Sequence, residues 1–474
     1  MAPHLAHGIP PHLSMWQRVR EYAVPPSMIK KATARRAAGD WAGACAAARV
    51  YVDLDLRAVR DRHGTDTATL LRADLRRLAP DLLRWHMPRI APDGRLRPGL
   101  TLSLARYHGF GGTPLQLVVR TPPAYADAGQ HLSLAVWDGS WSNVAGHHPH
   151  PHPDRRFRLD LHRHLWDAGR AGELRSRCAP GPPTVYDSPY AAGSWAAEAE
   201  LLLRAEGLPR GAFTVRLGPR KRVPLELVAP DDSHAPTFRA LRTDALSPHH
   251  VAALPTLPEA AVRVLPDVEL LRAGLVPAER LHPLVGAALA AYASTPTGGP
   301  TPEPADPHRV RCRGEDHRIA LRGGVLTAVD HDPSQLRREE MLVALGGPAL
   351  PCLRAIDEVH RDPEALPAVR ERLAHGDVVG ALAVVEGLLG PAAVLRDGPL
   401  REELESAMVR RVEHGLFRSG LVAVHPGAGA TGSEYVSDAG QVTAARRPRL
   451  TRRTPYPVRR KLNSRSRPRT GLFP

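Results

Sequence analysis

Four short stretches decide the fold class: Leu100–Leu104 (LTLSL), Leu115–Val119 (LQLVV), His131–Trp137 (HLSLAVW) and Arg156–His162 (RFRLDLH). Each alternates apolar with polar or small residues, so each carries two chemically different faces when extended. Turns containing Gly or Pro separate them. The pattern predicts an antiparallel sheet with one face in water. Further strands are expected at Phe213–Leu217 and Val223–Val228, after helices near Leu165–Ser176 and Ser194–Glu206.

Toward the N-terminus the period changes to that of a helix. Met28–Ala38 follows Pro25-Pro26-Ser27, Gly39 stops it, and Asp40 caps the next helix at Trp41. Asp66–Trp85 places Leu70, Leu71, Leu75, Leu78, Leu82 and Trp85 at helical spacing, and Pro88 ends the run. Toward the C-terminus, residues 229–293 read as short helices between prolines. Ser294–His308 has five prolines and almost no apolar content, the composition of a linker. Past it, His317–Leu321 and Val325–Val329 flank Gly323-Gly324, a hairpin signal because both turn residues tolerate positive φ. Helices are expected over Ser334–Leu345, Pro351–His360, Pro363–His375, Asp377–Leu389 and Pro399–Glu413.

The expected fold is therefore α+β. A helical segment spans 14–88 and a mostly antiparallel sheet with helices spans 95–228. An irregular helical segment covers 229–293 and the linker 294–308. A β-hairpin with a helical bundle covers 309–424, and a disordered basic tail covers 425–474.

The chain of 474 residues carries a formal charge of +15. Only four of its 64 basic residues are lysine: Lys30, Lys31, Lys221 and Lys461. The charge is concentrated in Arg446, Arg447, Arg449, Arg452, Arg453, Arg459, Arg460, Lys461, Arg465, Arg467 and Arg469, a stretch without an acid. Setting these aside leaves about +4 on the rest, so the folding part is nearly balanced. A run of arginines among Pro, Ser and Thr neutralises phosphates and releases counterions, which gives salt-sensitive affinity for nucleic acid or an anionic surface. The four cysteines, Cys45, Cys178, Cys312 and Cys352, are widely spaced and form no CxxC pair, which excludes a dense disulfide framework and fits a reducing compartment. The N-terminal residues lack the basic and apolar regions of a secretory signal, and no apolar run is long enough to span a bilayer. A cytoplasmic location is the expectation.

Residues 37–46 (AAGDWAGACA) and 374–383 (AHGDVVGALA) share the pattern G-D-x-x-G-A-x-A. Gly closes one helix, Asp caps the next, and small residues let the pair approach closely. Each stretch resembles the turn of a helical-hairpin repeat of the tetratricopeptide type. The likeness covers about ten residues at each place and lacks that family's tandem 34-residue period, so two separate helical hairpins are expected.

Two groups of residues have metal-ligand chemistry. His147, His148, His150 and His152 alternate with prolines in a loop, where imidazoles suit zinc, nickel or copper but have no rigid support. Cys312, His317, Asp330, His331, Asp332 and Cys352 surround the predicted C-terminal hairpin, and Cys with His in one small element suits a zinc knuckle. Val329-Asp330-His331-Asp332 is similar to the histidine motif of some small metal-dependent nucleases, without their paired cysteines. Asp332 also sits where a helix cap is needed. Asp53 and Asp55 alternate with apolar residues, as on a solvated face. No sequence motif names a cofactor.

Two functional readings follow. One is a non-catalytic interaction protein, with helical-hairpin surfaces for a protein partner and a basic tail for nucleic acid. The other is a metal-assisted hydrolase that uses His317, Asp330, His331 and Asp332.

Overall fold

The computed structural model describes residues 9–108, 115–123, 129–139, 152–178, 189–208, 210–218, 221–228, 235–241, 247–290, 309–418 and 421. The protein is α+β. It divides into two compact units, and the boundary falls between Pro296 and Thr297, within the proline-rich stretch.

The first unit begins with α1 (Pro11–Tyr22), α2 (Pro26–Ala37), α3 (Trp41–Ala47), β1 (Val50–Asp53), α4 (Leu56–His63), α5 (Thr65–Arg77) and α6 (Pro80–His86). A small pair, β2 (Arg89–Ile90) and β3 (Arg95–Leu96), precedes β4 (Thr101–Tyr107), β5 (Leu115–Arg120) and β6 (Leu132–Trp137). The main sheet has the order β1-β6-β5-β4, with β1 parallel to β6 and the other pairs antiparallel. After α7 (Leu174–Arg177) and α8 (Trp195–Ala205), a second sheet is built from β7 (Gly211–Arg216), β8 (Arg222–Val228) and β9 (Thr237–Ala240). Helices α9 (Pro248–Ala253), α10 (Glu259–Val262), α11 (Pro266–Arg272) and α12 (Pro283–Leu289) complete the unit.

Several expectations need correction. Strands β4 and β5 of the main sheet have no wet face: every residue but Arg106 and Arg120 is buried, including Thr101 and Ser103. Residues 154–160 cover its outer edge, where Asp154 N–H donates to Thr101 O and Asp160 N–H donates to Ser103 O. That segment holds most of Arg156–His162, which is not a regular strand. Between those contacts its N–H groups close local turns, Phe157 to Asp154 and His162 to Leu159. The Asp66–Trp85 helix is two helices, parted at Leu78–Ala79 because Pro80 begins the second. Leu71, Leu75, Leu78, Leu82 and Trp85 are buried as the spacing required, whereas Leu70 is exposed. The helix expected over Leu165–Ser176 reduces to short turns and α7, since the Asp167 carboxylate accepts Gly169 N–H and starts a turn instead. Residues 229–293 are not all helical, because β9 pairs with β8.

One core joins residues from 14–88, from the main sheet and from 265–289, among them Val19, Leu71, Leu82, Leu102, Leu117, Leu134, Trp166, Leu270 and Val285. A polar network crosses it. Arg20 of α1 donates to both oxygens of Asp267 on α11 at 2.8 and 2.7 Å, and Trp85 Nε1–H donates to the same carboxylate at 3.0 Å. His282 Nδ1 accepts Leu284 N–H at the start of α12, so its Nε2–H donates to buried Asp81. A second, smaller core lies between α8, α10 and the β7–β9 sheet, around Trp195, Phe213 and Leu257.

The second unit starts with the antiparallel meander β10 (Arg309–Cys312), β11 (Glu315–Arg322) and β12 (Val325–Ala328). Helices α13 (Pro333–Ala344), α14 (Pro351–Arg361), α15 (Leu366–Ala374), α16 (Val378–Leu389) and α17 (Pro399–Arg418) follow. Gly323 and Gly324 both take positive φ in the β11–β12 turn. The turn abuts the end of α16 so closely that a Cβ on Gly390 would lie 1.6 Å from Gly324 O. The core gathers Ile319, Leu326 and Ala328 from the sheet with Ile356, Val369, Leu373, Val385, Leu389 and Leu404 from the helices.

The two G-D turns have the same geometry in the two units. Gly39 and Gly376 take φ of 76° and 77°. Asp40 and Asp377 donate their N–H groups to Arg35 O and Arg372 O, five residues back. Their carboxylates cap the next helix by accepting Gly43 N–H and Gly380 N–H. The second glycine of the pattern is required by the cap, since a Cβ would lie 2.1 Å from the Asp40 carboxylate at Gly43 and 2.0 Å from that of Asp377 at Gly380.

Candidate metal centre

The C-terminal hairpin was expected to gather six residues, and the structure brings three of them to a point. Cys312 ends β10, His331 lies in the turn after β12, and Cys352 lies in the first turn of α14 behind Pro351. Their ligand atoms all lie within 4.8 Å of one another. All three side chains are buried, the two cysteines completely.

The local sequence explains the convergence. The turn at Arg313-Gly314 pairs Cys312 with Glu315, which sends β11 back along β10. The Gly-Gly turn returns the chain as β12, and Ala328 pairs with Ile319. His331 N–H then donates to Ala328 O, folding the chain over the sheet end just before α13. Pro351 opens α14, which packs on the meander and carries Cys352 to Cys312.

A fourth side chain lies beside the three. His317 pairs with Val310 across the β10–β11 ladder, so it shares a sheet face with Cys312. Its ring stacks on that of His331 with centroids 4.1 Å apart and planes at 10°. His331 Nε2 and His317 Nδ1 are both sealed from solvent and have no hydrogen-bond partner. A buried polar atom left in this way costs stability until something satisfies it.

Burial, with Cys312 adjacent, pushes the Cys352 thiol up to about 12. Burial, with His317 and Arg313 nearby, lowers the pKa of His331. A protonated thiol and a neutral imidazole are therefore the resting forms, and an ion that bound the sulfurs would displace protons.

The two acids of the expected set do not join. Arg318 holds the Asp330 carboxylate with its guanidinium and its backbone N–H, and these bonds keep the carboxyl below the usual range. The Ser334 hydroxyl donates to Asp332, which occupies the N-cap position of α13 and is likewise held low. His317 and His331 come together as expected, but with cysteines rather than carboxylates.

Of the proline-rich histidine loop, His147, His148 and His150 lie outside the described residues, and His152 packs against Trp137 with centroids 5.1 Å apart. The basic residues between Arg446 and Arg469 also lie outside the described residues. His162 donates from Nδ1 to Arg158 O and sits 3.1 Å from Glu198, a structural contact. Asp55 caps α4. Among the described residues, no helix is long and apolar enough to cross a membrane. No protein-family model, no curated protein and no solved structure matches this chain, so the residues alone carry the functional reading.

Proposed function

We propose that this is a non-catalytic interaction protein whose C-terminal unit is a closed scaffold presenting helical surfaces to a protein partner. The observation that carries the reading is on α17. Leu400, Leu404 and Ala407 are buried in the unit's core, yet Met408, Val409, Val412 and Leu416 stand exposed on the same helix. A helix that packs one face and leaves a second apolar stripe bare has a surface to be covered. Met341 and Leu345 near the end of α13 and Val379 of α16 add to the exposed apolar surface of the same unit.

A hydrolytic role has less support. A general base needs a free carboxylate or imidazole facing a cleft. Asp330 and Asp332 are bonded to Arg318 and Ser334, and the donors that converge are sulfur-rich and buried. The basic stretch from Arg446 to Arg469 supplies a second mode of contact, salt-sensitive affinity for nucleic acid or an anionic surface. Four free thiols agree with a reducing compartment, the cytoplasm in this proposal.

The test uses the full-length chain in two arms. Fluorescence anisotropy with duplex DNA and single-stranded RNA is expected to give binding that weakens steeply with salt and is lost on removing residues 425–474. Assays with phosphodiester, ester and peptide substrates, with zinc, magnesium or manganese added, are expected to show no turnover. Turnover abolished by His331→Ala would overturn the non-catalytic reading, and salt-independent binding would overturn the role of the tail.

A further inference from the structure

We propose that Cys312, Cys352 and His331 bind one zinc-class ion and that His317 leaves its stack on His331 to supply the fourth ligand.

The donor set selects the ion. Two thiolates and an imidazole suit zinc or another soft first-row ion, whereas magnesium and calcium require oxygen ligands. Among the described residues this is the one group of three or more such donors close enough to share an ion. The geometry needs little adjustment. Zinc bonds of about 2.3 Å to sulfur and about 2.0 Å to nitrogen give tetrahedral edges of roughly 3.4 to 3.8 Å. The three ligand atoms already lie within 4.8 Å of one another, so a contraction of at most about 1.4 Å closes the site.

Zinc in a buried structural site takes four protein ligands. His317 is the candidate for three independent reasons. It lies on the sheet face that carries Cys312. Its ring touches the His331 ring. Its Nδ1 is buried without a partner, as is Nε2 of His331, and ligation would satisfy orphaned imidazole nitrogens. The parallel stack at 4.1 Å cannot persist when both rings aim a lone pair at one ion, so the His317 ring must turn. His331 precedes α13, and Cys352 follows it in the first turn of α14. The ion would therefore tie α14 to the meander across a separation of 40 positions, from Cys312 to Cys352. This reaches beyond the interaction reading: failure to bind metal would leave salt-dependent binding of nucleic acid untouched.

The experiment takes tag-free, full-length protein, strips it with chelator under reducing conditions and titrates it with cobalt(II), then zinc. One equivalent of cobalt is expected to produce thiolate charge-transfer absorption and the intense visible bands of a tetrahedral site, and zinc is expected to abolish both. Cys312→Ser and Cys352→Ser should each remove the charge-transfer band or cut its intensity by about half. His317→Ala should keep one-to-one binding but weaken it tenfold or more. Cysteine variants can fail to fold without the ion, so a second readout uses the unmodified chain. Histidine side-chain nitrogen NMR should show one ring nitrogen of His331 and one of His317 moving together on adding one equivalent of zinc. Cobalt bound without thiolate absorption, or not at all, would overturn the site. Binding with tight thiolate absorption but no response of His317 in either readout would overturn the fourth ligand.

Discussion

Replacing Asp267 by Asn tests whether the buried network organises the N-terminal unit. Asp267 is fully buried, and its carboxylate accepts two bonds from Arg20 and one from Trp85. The Arg20 side chain is only 2% exposed and is sandwiched against the Trp85 and Trp16 rings. Asn is the same size but neutral, and its amide turns a donor toward the guanidinium. The variant thus leaves a buried cation without a counter-charge, which typically costs about 3–5 kcal/mol. Against a domain stability of about 5–15 kcal/mol, that loss is large without abolishing folding. The assay is urea unfolding followed by tryptophan fluorescence. All seven tryptophans, the last being Trp195, lie in the first unit, so the signal reports on it alone. With a slope of about 3 kcal/mol per molar urea, the midpoint should fall by roughly 1 to 1.7 M. The double variant Arg20→Met/Asp267→Leu removes both charges and should recover most of the loss. A fall below about 0.3 M for Asp267→Asn would refute the assignment.

Acid should weaken the same unit in two stages. Burial pushes the half-buried His86 imidazole down to about 4 from its ordinary 6.5, so the unfolded chain takes up a proton first and stability is lost as pH falls between those values, by up to about 3 kcal/mol. Glu198 is shifted in the same direction by a different cause, with the same consequence. Burial alone would raise its carboxyl, but His162 and Arg177 outweigh burial and hold it at about 2, so its contribution is present above pH 4.5 and lost below it. Urea midpoints that stay flat from pH 7.5 to 4 would contradict the first stage, and midpoints flat from pH 4.5 to 2 the second. Gly43→Ala and Gly380→Ala should each cost about 1–2 kcal/mol by displacing the Asp40 or Asp377 cap. Tryptophan fluorescence should detect only the first, whereas far-ultraviolet circular dichroism should detect both. Chelator should speed proteolysis within 309–418 and leave the tryptophan-monitored midpoint unchanged; equal sensitivity of both units would count against a metal confined to the second.

Much of the second unit was legible because its signals are local. Gly323-Gly324 between alternating runs specifies a hairpin through backbone conformation alone, and the G-D turns specify helix pairs through caps. The first unit was harder because tertiary covering overrides pattern. Alternation in β4 predicts a wet face, but Thr101 and Ser103 are buried beneath the edge-covering segment 154–160. Strand β1 was missed because its partner β6 lies 82 positions further on, from Val50 to Leu132, and nothing in four residues announces a parallel pairing. At the candidate centre, the six residues were visible as a group, but the choice among them was not. The acids were favoured because they neighbour His331, while the partners of His331 are cysteines 19 and 21 positions away. The order Cys312, His317, His331, Cys352 lacks the paired spacing that marks a zinc finger in sequence. Only the folding of the meander under α14 makes it a set.

X-ray absorption at the zinc edge of the zinc-loaded, full-length chain addresses the metal centre most directly. A first shell of two sulfurs at about 2.3 Å and two imidazole nitrogens at about 2.0–2.1 Å is the predicted result. A shell of oxygen and nitrogen without sulfur would contradict it.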